Sequence, residues 1–193
     1  NDGSTDKTLK NLKKIKNKRV KIINQKNLGH GPSVLKGYNY ALRMNTDYIF
    51  QVDTDNQFFA SDFKKFWNSR KNFDLIIGFR KQRFDDNIRL VITKILRFLI
   101  LIIFGSYIKD ANVPYRLMKK KFLAYTFKNF NLNVNIVNVF ISIIASSKGF
   151  KIKSINIKHK KRLTGTVWIV SYKLFLFCFE SLLNILLLRF KLL

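Results

Sequence analysis

The chain has 193 residues, 37 Lys and Arg against 11 Asp and Glu, and a formal net charge of +26. An apolar fraction of 47% excludes an intrinsically disordered chain, and the length suits one domain with one sizeable core. A single cysteine, Cys178, excludes an intrachain disulfide and a cysteine-built zinc site, which fits a reducing compartment. The charge produces a field that attracts polyanions, whether nucleic acid, anionic lipid headgroups or phosphorylated substrates, without choosing among them. Part of it is equally compatible with lysines spread over solvated faces.

The chain opens on Asn1-Asp2-Gly3-Ser4 with no charged-then-apolar leader pattern, so no signal peptide is expected. From Asp6 to about Lys16, Leu9, Leu12 and Ile15 recur at threes and predict a narrow amphipathic helix. A short strand is expected over Arg19 to Asn24. The glycine-bearing stretch Asn27 to Gly31 leads to Pro32, a good first-turn residue, and Val34, Leu35, Tyr38, Ala41 and Leu42 continue at helical spacing. Asp47 to Val52 reads as the next strand, Ser61 to Arg70 as a helix, and Phe73 to Gly78 as a further strand. Strands alternating with amphipathic helices predict an α/β fold with a mostly parallel central sheet flanked by helices, its ligands at the carboxyl ends of the strands. Asp53, Asp55, Gly78 and Arg80 fall at or just past such ends.

Leu90 to Ile108 is apolar but broken by Lys94 and Arg97, and its longest uninterrupted run is far short of the ~18 to 20 residues that span a bilayer. The segment from Val167 to Leu193 is similar, carrying Lys173, Glu180 and Arg189. Both suit a membrane surface, a partner helix or a buried position. Residues 1–166 are therefore expected to form the domain and residues 167–193 an apolar helical tail.

Side chains two apart point the same way in an extended segment, so Asp53, Asp55 and Gln57 can present three oxygens to one point. Two carboxylates and an amide oxygen suit Mg2+ or Mn2+. A plain turn is the competing reading of such a cluster. A calcium helix-loop-helix loop is excluded, because its glycine and glutamate positions hold Phe58 and Lys64. Gly29-His30-Gly31 is not a dinucleotide fingerprint, since Val34 stands at the third glycine. His30 and His159 have no accompanying nucleophile motif, so a hydrolase triad has no support.

These segments together resemble family 2 glycosyltransferases of the GT-A fold, especially the branch of dolichyl-phosphate mannose synthases and bacterial polyprenyl-phosphate glycosyltransferases. The resemblance runs over nearly the whole chain in six ordered motifs. Asn1 to Asp6 resembles the acidic Asp-Gly-Ser motif, which implies that Asp2 contacts the nucleotide. Asn27-Leu28-Gly29-His30-Gly31 resembles the next nucleotide-side loop. Asp53-Thr54-Asp55-Asn56-Gln57 resembles the metal motif, with Gln57 as third ligand, and Gly78-Phe79-Arg80 a post-strand Gly-x-Arg. Asp110 to Arg116 resembles the acceptor-side motif, and His159 to Gly165, with Arg162, the late acceptor element.

The resemblance implies an inverting, metal-dependent hexosyltransferase that moves a sugar from a nucleotide-sugar donor to polyprenyl or dolichyl phosphate, at the cytoplasmic face of a membrane. The expected catalytic residues are Asp110, Arg116 and Arg162. Asp2, Asn27, Gly29, Asp53 and Arg80 are expected to bind the nucleotide-sugar, and Asp53, Asp55 and Gln57 the metal. Arg80, Arg83, Arg116 and Arg162 suit bidentate phosphate contacts. A hydroxyl acceptor would need Asp110 as a base, whereas a phosphate acceptor is already ionised and leaves Asp110 to orient a cation. A glycan acceptor, as in polysaccharide or glycolipid synthesis, is the first alternative, and a non-catalytic basic module for nucleic acid or anionic membrane the second. No specific nucleic acid is expected. Family members begin with a strand, a helix and a strand before the Asp-Gly-Ser motif, so roughly 30 to 40 residues are expected to be missing and this chain to fall short of full activity.

Overall fold

The computed structural model describes residues 1–82, 84, 87–161 and 171–192, and the side chains of all of these but 171–173. In chain order the elements are α1 (Thr8–Lys13), α2 (His30–Arg43), β1 (Tyr48–Val52), α3 (Phe63–Ser69), β2 (Leu75–Arg80) and α4 (Asn87–Phe104). There follow β3 (Tyr115–Lys119), α5 (Lys120–Asn129), α6 (Val137–Ser147), β4 (Ile152–Ile157) and α7 (Ser171–Leu192). A single 3-10 turn at Ala60–Asp62 leads into α3.

The expected α/β class is present, but the sheet is mixed. Its order is β1-β3-β2-β4, with β3 antiparallel to both β1 and β2, and β2 parallel to β4. The mostly parallel sheet expected from the alternation of strands and helices is thereby corrected. β1, β2 and β4 do run one way. The chain leaves β2 at its carboxyl edge, passes through α4 and re-enters at that same edge, so β3 runs back between β1 and β2. Nothing in the residue pattern of Tyr115–Lys119 encodes that insertion, because strand direction is set by where the connection ends.

The strand expected over Arg19 to Asn24 does not form. Only Asn1 and Asp2 lie alongside it: Gln25 N–H donates to the Asn1 carbonyl at 3.1 Å, the Asn1 amine to the Ile23 carbonyl at 2.8 Å, and Asp2 and Gln25 make one isolated parallel bridge. A strand needs a row of partners for its backbone groups, and this segment has two residues of one.

Alternate residues of the strands divide the core into two layers. On one face Phe50 and Tyr115 meet Phe63 and Phe66 edge to face, with ring centroids 4.8–6.4 Å apart. On the other, Gln51, Arg116 and Asn138 meet around Tyr38 of α2 and α6. Val137 through Ala145 of α6 are all buried, as an all-round apolar helix must be. Around it pack α2, α4, α5 and α7. Asp74 stitches the lower edge, accepting from Lys119 Nζ and Lys151 N–H at 3.0 Å each. Burial would raise its carboxyl, but these bonds outweigh it and hold it below the ordinary carboxylate value.

Most of the apolar segment expected near 90–108 lies in α4, and the described part of the one expected over 167–193 is α7, while residues 167–170 and 193 lie outside the described residues. Among the described residues no helix is long and apolar enough to cross a membrane. α7 buries Ser181, Ile185, Leu188 and Leu192 and is tied down by Asn135 Nδ2 donating to Glu180 at 3.2 Å and Lys148 Nζ donating to the Leu192 carbonyl at 3.3 Å.

Phe66 is fully buried between Phe50 and Tyr115. Its replacement by Ala is expected to cost ~3–5 kcal/mol, read as a lower denaturant midpoint at unchanged slope.

Candidate functional site

β1, β2 and β4 end at one edge of the sheet, and β3, running opposite, begins there. Five of the six motifs therefore meet at this edge through the ends of β1, β2 and β4 and the loops before α2 and β3, and their side chains engage one another.

The turn after β1 keeps part of the expected alternation. Asp53, Asp55 and Gln57 are half-buried while Thr54 and Asn56 are exposed. The segment bends instead of running extended: Asp55 Oδ1 accepts the Gln57 N–H at 3.2 Å, and Asn56 sits at φ 61°, a left-handed conformation that asparagine tolerates. The far side of the turn is zipped to the end of β4. Lys160 N–H donates to the Gln57 carbonyl at 2.9 Å, Gln57 Nε2 donates to the Lys160 carbonyl at 3.3 Å, and Phe58 bridges His159. The Gln57 amide thus turns its nitrogen to Lys160 and its oxygen away. His159 is buried between the Phe58 and Phe84 rings, and Lys160 Nζ lies over Phe59 at 4.3 Å.

Asp2 is engaged by the loop opposite. Its carboxylate accepts from Gln25 Nε2 at 2.7 Å, Leu28 N–H at 3.0 Å and Gly29 N–H at 2.9 Å. Partial burial would raise this carboxyl, but the bonds from Gln25, Leu28, Ser33 and Gly29 together lower it. Asn27 Oδ1 accepts from the Gly29 N–H at 3.2 Å. Gly3, at φ 73°, sits against this loop so closely that a Cβ would lie 2.6 Å from the Asn27 nitrogen. The two nucleotide-side segments are therefore one back-to-back unit, and Asp2 spends most of its acceptor capacity inside it.

His30, at the start of α2, brings this unit to the Asp53 turn, with Nε2 3.4 Å from Asp53 Oδ2. The bond to Asp53 raises the imidazole above its ordinary value, against an opposing effect of burial and of Arg116. Beneath them, Tyr38 Oη donates to Gln51 at 2.6 Å and lies 3.2 Å from Asn138 Oδ1.

Arg80 and Asp110 form a bidentate ion pair at 2.8 and 3.1 Å, with side chains only 10% and 2% exposed. Arg116 is wholly buried. Its Nε and Nη2 donate to the Val113 carbonyl, Nη2 also to Ala111, and Nη1 to the Asn138 carbonyl and Ser142 Oγ, at 2.9–3.3 Å. The expectation that Arg116 clamps an acceptor phosphate is corrected: every nitrogen is turned into the protein, and the side chain fixes the loop that carries Asp110. Asp110, enclosed and paired to a guanidinium, is likewise not positioned as a free base. Arg162 and Arg83 lie outside the described residues.

Beside Asp53 opens a cavity of about 500 Å³ lined mainly by Phe50, Phe58, Phe59, Phe63 and Tyr115. Among the described residues no group of three or more His, Cys, Asp or Glu is arranged to hold a metal. The set formed by Asp53, Asp55 and Gln57 is smaller, all oxygen and partly solvated, the chemistry of a hard divalent cation that keeps much of its water.

The residue pattern assigned no role of its own to Lys160, which stands inside the His159 to Gly165 motif, and did not single out the Tyr38–Gln51–Asn138 cluster. The available signal was Gln51, the one amide in the apolar strand Tyr-Ile-Phe-Gln-Val.

With this geometry in place the comparisons with known proteins agree. The family described as Glycosyl transferase family 2 matches residues 1–137. An uncharacterized protein of Methanocaldococcus jannaschii is 30% identical over 165 residues, covering 78% of this chain and 70% of that protein. The chain belongs to glycosyl transferase family 2, and its domain is that of a glycosyltransferase acting between a nucleotide-sugar donor and an acceptor.

A carboxyl whose value falls on folding stabilises the fold above its unfolded value, near ~3.9, and loses that contribution as pH drops through the lower folded value. Wild-type stability is accordingly expected to fall more steeply below about pH 4 than that of Asp2→Asn, by a small margin because Asp2 is partly solvated. Parallel denaturant curves across that window check it.

Proposed function

We propose that this domain transfers a sugar from a nucleotide-sugar to a lipid phosphate of the polyprenyl or dolichyl type, with inversion at the anomeric carbon. The observation that carries the reading is the Arg80–Asp110 pair. A hydroxyl acceptor needs a group to take its proton, and the carboxylate best matched to that task by motif is buried and neutralised. A phosphate acceptor arrives ionised and needs cations instead. Asp110 holds Arg80 at the carboxyl edge of β2, and two lysines add positive charge, Lys109 over the Phe79 ring at 5.5 Å and Lys160 over the Phe59 ring at the Asp53 turn.

Asp53, Asp55 and Gln57 would hold Mg2+ or Mn2+, which supplies neutralisation of the leaving pyrophosphate. Gln57 keeps its amide oxygen free for that set by donating to Lys160. His30 orients Asp53, and the Asp2 unit with Asn27 and Gly29 shapes the nucleotide side. The acceptor oxygen forms its bond to the anomeric carbon as the bond from that carbon to the pyrophosphate oxygen breaks, the electron pair leaving with the nucleoside diphosphate. The displacement needs no protein-bound intermediate.

Asp55→Ala is expected to abolish metal-dependent nucleotide-sugar binding and transfer while leaving the fold intact, since the side chain lies on an open turn. Calorimetric titration with nucleotide-sugar, with and without Mn2+, checks this; equal binding under both conditions defeats the metal assignment. Asp110→Asn separates the acceptor classes. With a phosphate acceptor, transfer falls but the acid limb of the rate–pH profile keeps its position. Loss of that limb would identify Asp110 as a base and the acceptor as a hydroxyl.

A further inference from the structure

α7 carries two apolar faces where a surface helix needs one. Ser181, Ile185, Leu188 and Leu192 are buried against the domain. On the other side Phe175, Phe179, Leu183, Leu186 and Phe190 are exposed, Phe190 by 73% and Phe175 by 67%. At ~100° per residue these five fall within about a third of the helix circumference, opposite the buried face. Arg189 and Lys191, both exposed, stand on the two flanks of that stripe. α4, which packs against α7, repeats the arrangement: Ile88, Val91, Ile95, Phe98 and Ile102 are exposed at steps of three and four, with Lys94 exposed among them.

Water is a poor neighbour for such a surface, and contiguous apolar patches of this kind mark docking faces. Three occupants are possible in principle. A second copy of the chain would bring its own net charge of +26 against the same charge, with cations flanking the stripe on both sides. A bilayer-spanning arrangement has no helix of sufficient length and apolarity among the described residues. An anionic lipid surface satisfies both features at once: acyl chains accept the phenylalanines and leucines, and headgroup phosphates accept the flanking arginine and lysines.

We propose that the outward stripe of α7, with that of α4 beside it, seats on an anionic phospholipid bilayer, α7 lying in the plane of the headgroup boundary. The stripe is separate from the Asp53 corner, so nucleotide-sugar binding measured in vesicle-free solution reports on the corner alone, and either reading can fail without the other.

Co-sedimentation of the full chain with vesicles of phosphatidylcholine alone, and of phosphatidylcholine mixed with phosphatidylglycerol, tests the docking. The wild type is expected to pellet with the mixed vesicles and weakly with phosphatidylcholine. Phe179→Asp combined with Leu183→Asp is expected to weaken mixed-vesicle binding at least about tenfold, with an unchanged circular dichroism spectrum because both positions face solvent. The milder pair Phe179→Ser and Phe190→Ser is expected to weaken it in the same direction, and Arg189→Gln with Lys191→Gln to reduce the preference for phosphatidylglycerol. Binding that survives both stripe variants unchanged means charge attraction alone and overturns the proposal. So does a wild-type dimer in vesicle-free solution that the aspartate pair converts to monomer, or absence of wild-type binding to mixed vesicles.

Discussion

A guanidinium with no exposed surface holds the carboxyl edge of this molecule together. Arg116 is buried in the middle layer, and its N–H groups go to the carbonyls of Ala111, Val113 and Asn138 and the hydroxyl of Ser142. Removing a cation from water costs several kcal/mol unless its donors are all met. Here neutral oxygens meet them, while burial pushes the guanidinium below its ordinary value and Tyr38, Asp110 and Asp53 pull it back. The same bonds set the height of the loop before β3 against α6. Asp110 takes its place from that loop, and Arg80 takes its orientation from Asp110.

The direction of β3 explains why the chemistry is distributed as it is. In a purely parallel sheet, functional loops follow strands. Because β3 runs backward between β1 and β2, the loop preceding it reaches the functional edge. Asp53 therefore comes just after its strand, Arg80 ends its own and Asp110 precedes the one that follows it, yet all three share one rim. The pair of bonds between Gln57 and Lys160, one backbone to backbone and one from the Gln57 side-chain amide, closes the rim on the β4 side.

Much of this was legible in the sequence, and the losses have physical causes. β1 and β2 were readable from apolar runs ending in Asp53 and near Arg80, and α2, α4 and α7 from helical spacing, because those signals are local. The ordering of the motifs identified the family without any contact information. The insertion of β3 was not readable, since it depends on where a long connection returns. Nor was the burial of Arg116: an arginine that closes a motif reads as a ligand contact until its neighbours are known, and those neighbours include Asn138 and Ser142 on α6. The pairing of Arg80 with Asp110 was anticipated in kind, as an aspartate that orients a cation, but not in partner. The strand expected over 19–24 failed because strand formation is decided by the neighbour and not by the segment itself.

The two hydrogen bonds between Gln57 and Lys160 have a mechanical consequence. They fix the β4 end of the site rim at Lys160, and only ten residues separate that point from the start of α7 at Ser171. A polypeptide of that length spans at most about 40 Å even when fully drawn out. Lys160, on the site rim, therefore lies within that distance of Ser171, the first residue of the helix that carries the outward stripe, a span comparable to the thickness of one small domain.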